Sequence, residues 1–116
     1  DFCLSRGLGD VYKRQGCMGP VKAAIESMTR YLAVELEPHN IRVNCVSAGP
    51  LYGDLLDKWP EREKLIPRWE AVSAASRLCT DTDVVEMVMF LLGSGATMMN
   101  GSVVTLDGGY SIPIGG

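Results

Sequence analysis

The run Lys22-Ala-Ala-Ile-Glu-Ser-Met-Thr-Arg-Tyr-Leu-Ala-Val-Glu-Leu36, followed closely by Ile41-Arg-Val-Asn-Cys-Val-Ser-Ala-Gly-Pro50, decides the fold. Val21, Ile25, Met28 and Leu32 recur at helical spacing, with Leu36 after them. Residues 19–38 are therefore predicted to form a helix. Pro20 suits its first turn, where a missing N–H costs nothing. Glu26 and Arg30 are spaced to pair across one turn. Pro38, His39 and Asn40 end the helix. The segment Ile41–Ser47 is too apolar for a strand with one wet face. It is predicted to be a buried parallel strand, with neighbours on both edges and helices on both faces. Gly49-Pro50 stops it.

A second helix-then-strand unit follows. Residues 54–75 are broken by Pro60 and Pro67 and suit one or two short helices, with Leu65, Ile66 and Trp69 on an apolar face. Thr80-Asp-Thr-Asp83 has the spacing of a capping box. Val84, Val85, Met87, Val88, Phe90, Leu91 and Leu92 make the next helix apolar nearly all round, which predicts burial; Gly93 suits its end. Ser102–Leu106 is a second short strand, turned by Asp107-Gly108-Gly109. Two such units imply a parallel α/β sheet. A pair of parallel strands cannot bury itself, so the chain reads as incomplete.

Composition bounds the function. The chain has 116 residues, 47% of them hydrophobic and 22% charged, with a net charge of −3. These are ordinary globular values. Basic residues are scattered and not interleaved with aromatics, which argues against a nucleic-acid partner. No stretch approaches the roughly 18 apolar residues of a membrane span. The four cysteines, Cys3, Cys17, Cys45 and Cys79, form no C-x-x-C pair, and His39 is the single histidine. That spacing offers no zinc site. Reduced thiols in a cytoplasmic protein are expected. His39 reads as a turn residue.

Over residues 16–112 the chain resembles the short-chain dehydrogenase/reductase family. Lys22 and the helix after it are similar to that family's active-site helix. Asn44–Leu51, with Ala48-Gly49-Pro50, is similar to the strand end beside the nicotinamide ring. The resemblance implies the C-terminal half of a doubly wound Rossmann-like α/β sheet and an NADH or NADPH cofactor. It implies that Lys22 holds the nicotinamide ribose and favours the ionised form of a nearby tyrosine. It implies cofactor contacts at Ala48, Gly49, Pro50 and Leu51, the last through its backbone to the carboxamide. Read without the family, Lys22 is a solvated lysine in the first turn of a helix, and Gly49-Pro50 a plain turn. The family's threonine near position 53 is Gly53 here, which weakens or reroutes a phosphate contact.

The family's tyrosine lies four or, in its enoyl-reductase branch, seven residues before the lysine. Those positions are Met18 and Gln15. Tyr12 is ten residues back and off the lysine's face. Met18-Gly19-Pro20-Val21-Lys22-Ala23 resembles the enoyl-reductase branch, as does Ala48-Gly49-Pro50. Residues 1–15 have no clean period. Ser5-Arg6-Gly7-Leu8-Gly9 imitates a nucleotide-binding turn, but no apolar strand precedes it. Asp10-Val-Tyr-Lys-Arg-Gln15 resembles translated sequencing-adapter read-through. The expectation is a disordered, non-native leader over residues 1–15 and native sequence over 16–116.

Residues 54–76 are similar to the substrate lid of enoyl-acyl carrier protein reductase III. Leu55, Leu56, Trp59, Ile66 and Trp69 are candidates for an apolar acyl wall, with simple helix packing as the alternative. Leu106-Asp107-Gly108-Gly109 is similar to the family's C-terminal strand ending near a subunit interface. The resemblance implies an oxidoreductase of fatty acid biosynthesis acting on an enoyl thioester carried by acyl carrier protein, in a homo-oligomeric parent. A 3-oxoacyl reductase or another short-chain alcohol dehydrogenase stands as the alternative. A truncated chain with no activity of its own is the third reading.

Overall fold

The structure is a computed structural model that describes residues 18–112. The expected leader, with Tyr12 and Gln15, lies outside them. In order come helix α1 (Met18–Leu36), a 3-10 turn (Glu37–His39), strand β1 (Cys45–Ala48), and helices α2 (Asp54–Asp57), α3 (Arg62–Val72) and α4 (Asp81–Leu92). A second 3-10 turn (Ser94–Ala96) precedes strand β2 (Val103–Leu106). β1 and β2 form a two-stranded sheet. The Cys45 N–H bonds to the Ser102 carbonyl at 2.9 Å, and four residues further along both strands the Gly49 N–H bonds to the Leu106 carbonyl at 2.9 Å. Equal advance along both strands makes the pair parallel.

The chain divides into two compact units. The first holds α1, its turn, the lead-in to β1 and residues 96–104. Ala33 and Thr29 are its buried helix residues, with Ala96 beneath them in sequence. Asn100 joins its parts: its amide nitrogen donates to the Ala33 carbonyl at 3.2 Å, and its oxygen accepts the Val43 N–H at 2.9 Å. The carbonyls of a helix's last turn have no partner within the helix, so this bond supplies one. Arg42 reaches the Ala96 and Met99 carbonyls, and Asn44 bonds Met99 and Ser102.

The second unit holds α2, α3, α4 and the ends of both strands. Leu56, Trp69, Leu78, Cys79, Leu91 and Tyr110 are buried there, with Ser73. α4 starts on a full capping box: Thr80 Oγ1 accepts the Asp83 N–H and Asp83 accepts the Thr80 N–H. Two such bonds satisfy donors that a helix start otherwise leaves open.

Several expectations are corrected. α1 ends at Leu36, and Pro38 lies in the 3-10 turn, with Asn40 in the left-handed region at φ 56°. The Glu26–Arg30 pair is absent from the ion pairs among described residues. The strand expected from Ile41 begins only at Cys45: before it, Arg42 and Asn44 are held through their side chains, and Val43 by the Asn100 side chain and one backbone bond from the Gly101 N–H at 2.7 Å. β1 is half-buried, and among the described residues β2 is its one partner in the sheet. Pro60 does separate α2 from α3, but Pro67 sits inside α3 without ending it. α4 is not buried: Leu91 is its one buried residue, while Val85, Met89, Phe90 and Leu92 are exposed. Its apolar character marks a surface that the described chain does not cover.

Candidate active site

The run after β1 is built by backbone pairing. The Cys79 N–H bonds to the Pro50 carbonyl at 3.0 Å, and the Tyr52 N–H bonds to the Cys79 carbonyl at 3.0 Å. This is a parallel bridge between Leu51 and Cys79. In extended chain, the N–H and C=O of one residue point the same way, and those of its neighbours the other way. Pro50 and Tyr52 therefore face Cys79, and Leu51 turns its own N–H and C=O to the opposite side. Among the described residues, neither group takes a backbone hydrogen bond. The Cys79 thiol fixes the arrangement from behind, donating to the Leu106 carbonyl at 3.0 Å.

A donor and an acceptor side by side suit a primary carboxamide, which offers one acceptor oxygen and two N–H donors. The residues present therefore fit the carboxamide end of a nicotinamide cofactor.

Gly49 has a reason within the chain. A Cβ there would stand 2.8 Å from Asp107 Cβ and 3.1 Å from Asp107 Cα. The glycine is demanded by the neighbouring strand end. Asp107 itself is a structural carboxylate. It accepts the Gly109 and Ser111 N–H groups at 2.9 Å each. Burial raises its pKa, but the bonds from Ser111, Gly109 and Tyr110 outweigh that and hold it below the usual range. Gly53 caps α2 at φ 150°, ψ −175°, a region open essentially to glycine alone. A threonine at this position would be strained.

Lys22 is exposed in the second turn of α1, in the first unit, and makes no ion pair to a described residue. Ala48, Gly49, Pro50 and Leu51 stand together in the second unit. Of the expected acyl wall, Leu56 and Trp69 are buried, Trp59 and Ile66 are half-buried, and Leu55 is 77% exposed. The buried pair is in the packing of the unit; Leu55, Trp59 and Ile66 keep surface for a ligand.

Two polar residues near this run escape a reading of the sequence. The Tyr52 hydroxyl donates to Glu70 Oε1 on α3 and accepts the Leu78 N–H. Eighteen residues separate Tyr52 from Glu70, and no spacing rule links them. On the far side of Leu78, Arg77 forms a bidentate pair with Asp83 at 2.6 and 3.0 Å. That contact, with the bonds from Thr80, lowers the Asp83 pKa far below the usual carboxylate range. Among the described residues, no group of His, Cys, Asp and Glu is arranged to hold a metal ion. No described helix is long and apolar enough to cross a membrane.

Comparison with known proteins adds ancestry to this geometry. A family model described as Enoyl-(Acyl carrier protein) reductase matches residues 4–111. The 1-cyclohexenylcarbonyl-CoA reductase of Streptomyces collinus is 36% identical over 110 residues, 93% of this chain and 39% of that protein. An NADH-dependent enoyl-[acyl-carrier-protein] reductase of Synechocystis is 37% identical over 102 residues, 82% of this chain and 37% of that protein. The solved 3-ketoacyl-(acyl-carrier-protein) reductase of Brucella melitensis, complexed with NADH, superposes with a TM-score of 0.72 at 29% identity. That match covers 81% of this chain and 36% of the other. The chain thus spans well under half the length of the relatives it matches. Fold and sequence agree, and the chain belongs to the short-chain dehydrogenase/reductase family of oxidoreductases.

Proposed function

We propose that this chain supplies the nicotinamide side and the substrate lid of an NAD(P)H-dependent reductase of 2-enoyl thioesters carried on acyl carrier protein. The observation that carries the cofactor half is that, among the described residues, the N–H and C=O of Leu51, just past β1, take no backbone hydrogen bond. Those two groups hold the carboxamide and so fix which face of the ring meets the substrate. A dinucleotide, when bound, would supply a hydride to C3 of the enoyl thioester, and C2 would then take a proton from solvent. Lys22 donates hydrogen bonds to the ribose hydroxyls through its ammonium group. Its charge also lowers the pKa of a tyrosine whose O–H donates to the thioester oxygen as negative charge develops there, making that phenol a stronger donor. Leu55, Trp59 and Ile66 offer apolar surface to the acyl chain.

The enoyl substrate is supported by Met18-Gly19 between the tyrosine position and Lys22, and by Ala48-Gly49-Pro50. Two relatives at 36% and 37% identity are named as reductases of unsaturated acyl compounds. The second reading, a 3-oxoacyl reductase, is favoured by the structural likeness to the Brucella enzyme. The test joins residues 16–116 behind the front half of a related reductase, with Gln15→Tyr at the junction. NAD(P)H oxidation that needs a 2-enoyl thioester is expected. Activity on 3-oxoacyl thioesters alone would establish the second reading in its place.

A further inference from the structure

The Tyr52 hydroxyl ties three segments of the second unit. It donates to Glu70 Oε1 on α3 at 2.5 Å, and it accepts the Leu78 N–H at 3.2 Å. Tyr52 itself directly follows Leu51. The Glu70 bond ties the residue after Leu51 to helix α3. The second bond matters for another reason. Leu78 is 2% exposed, and its neighbour Cys79 spends its own N–H on Pro50. Without the phenol oxygen, the Leu78 N–H would be buried with no partner, and such groups are rare because they are costly. The groups that face the hydroxyl are Glu70 from α3 and Leu78 and Arg77 from the run before α4. The Glu70 bond raises the Tyr52 pKa; the Leu78 bond and the Arg77 charge oppose it, while burial and the Glu70 charge add to it. The phenol therefore stays a neutral donor at neutral pH.

We infer that Tyr52 is a positioning residue: its hydroxyl seats lid helix α3 on the Leu51–Cys79 run, so that Ile66 keeps a fixed register to the backbone that receives the carboxamide. The seat itself is read from hydrogen bonds; its effect on turnover rests on the proposed reductase function. Breaking it frees α3 without touching Lys22 or the Leu51 backbone. The acyl subsite loosens while the reacting groups stay.

Hydrogen exchange read by mass spectrometry tests the seat, on the 116-residue chain and on the fusion described above. In Tyr52→Phe, the Leu78 amide and α3 are expected to exchange about tenfold faster or more, as loss of a partner for a buried amide implies. α1 should be unchanged. Glu70→Gln keeps an acceptor oxygen and should stay within about threefold of the parent, whereas Glu70→Ala should speed exchange in α3 as Tyr52→Phe does but leave the Leu78 amide, which keeps the phenol oxygen, near the parent. No change at Leu78 in Tyr52→Phe, or an equal rise throughout the chain, would overturn the seat. Kinetics of the fusion test its role: Tyr52→Phe should raise KM for the thioester roughly three- to tenfold with kcat within twofold, and Glu70→Gln alone should keep KM within about threefold of the parent. A fall in kcat at unchanged KM would overturn the positioning role. A fusion with no reductase activity at all counts against the proposed function and leaves the exchange result standing.

Discussion

Leu51 and Cys79 form a parallel bridge that engages the Pro50 C=O and the Tyr52 N–H and, among the described residues, leaves the N–H and C=O of Leu51 without a backbone hydrogen bond. A binding edge made of main chain has a distinctive mutational signature. Truncating the side chain leaves the donor and the acceptor in place, while proline removes the donor. In the fusion, Leu51→Ala should hold NAD(P)H affinity within about threefold. Leu51→Pro should weaken it about tenfold or more, the worth of one well-placed hydrogen bond. Calorimetric titration reads both, and equal losses in the two variants would show that the side chain, not the backbone, makes the contact.

Gly49 and Gly19 should respond in opposite directions to the same change. A Cβ at Gly49 meets Asp107 Cβ at 2.8 Å, whereas one at Gly19 meets nothing within 4 Å. Gly49→Ala should destabilise by about 1–3 kcal/mol, the usual cost of forcing an extra methyl into a packed site. Gly19→Ala, in the first turn of α1, should stabilise by up to about 1 kcal/mol. Urea unfolding gives both values. A neutral Gly49→Ala would mean that the strand end yields, and that the glycine serves some other purpose.

Residue spacing made some of this structure legible and hid the rest. Val21, Ile25, Met28 and Leu32 announce α1, and Thr80 with Asp83 announces the capping box that starts α4. Both signals are local, and local rules read them. The apolar run Ile41–Ser47 announces a strand but misplaces its start. The bonds that hold Arg42, Val43 and Asn44 come from residues 96–102, more than fifty positions away. The near-continuous apolar face of α4 was read as burial, yet hydrophobicity tells only that a surface prefers cover, not that this chain provides it. Pro67 reads as a break because proline is costly in a helix interior, and the packing of Trp69 overrides it. At the site, the Ala48-Gly49-Pro50 turn raises the expectation of a backbone contact at Leu51. The Tyr52–Glu70 bond was not legible, because nothing in a lone tyrosine and a lone glutamate marks them as partners.

The cap of α4 should be sensitive to acid. Asp83 is held as a carboxylate chiefly by its bond to Arg77, and then by the Thr80 N–H and hydroxyl. A depressed folded pKa contributes stability that is fully present above the ordinary carboxylate value of about 4 and is lost as pH falls through the folded value. Asp83→Asn should therefore lower the urea midpoint at pH 7. The gap between parent and variant should close progressively below about pH 4. Thr80→Ala removes the other half of the box and should cost about 0.5–2 kcal/mol. A gap between parent and Asp83→Asn that is the same at pH 7 and pH 2 would contradict the assignment of the Arg77 and Thr80 bonds to the ionised carboxylate.

The central claim is that this chain carries the nicotinamide side of a reductase site, with Lys22 acting on the cofactor ribose and its neighbouring phenol. The direct measurement is steady-state NAD(P)H oxidation by the fusion with Gln15→Tyr, with and without Lys22→Ala, on a 2-enoyl thioester. Lys22 is exposed and makes no ion pair to a described residue, so its removal should leave folding intact. Circular dichroism checks that point. The account predicts that Lys22→Ala lowers kcat/KM by about 10²–10⁴-fold, the range for lost acid–base assistance and cofactor positioning. A folded Lys22→Ala fusion with undiminished activity would contradict it and return Lys22 to a solvated lysine on the surface of α1.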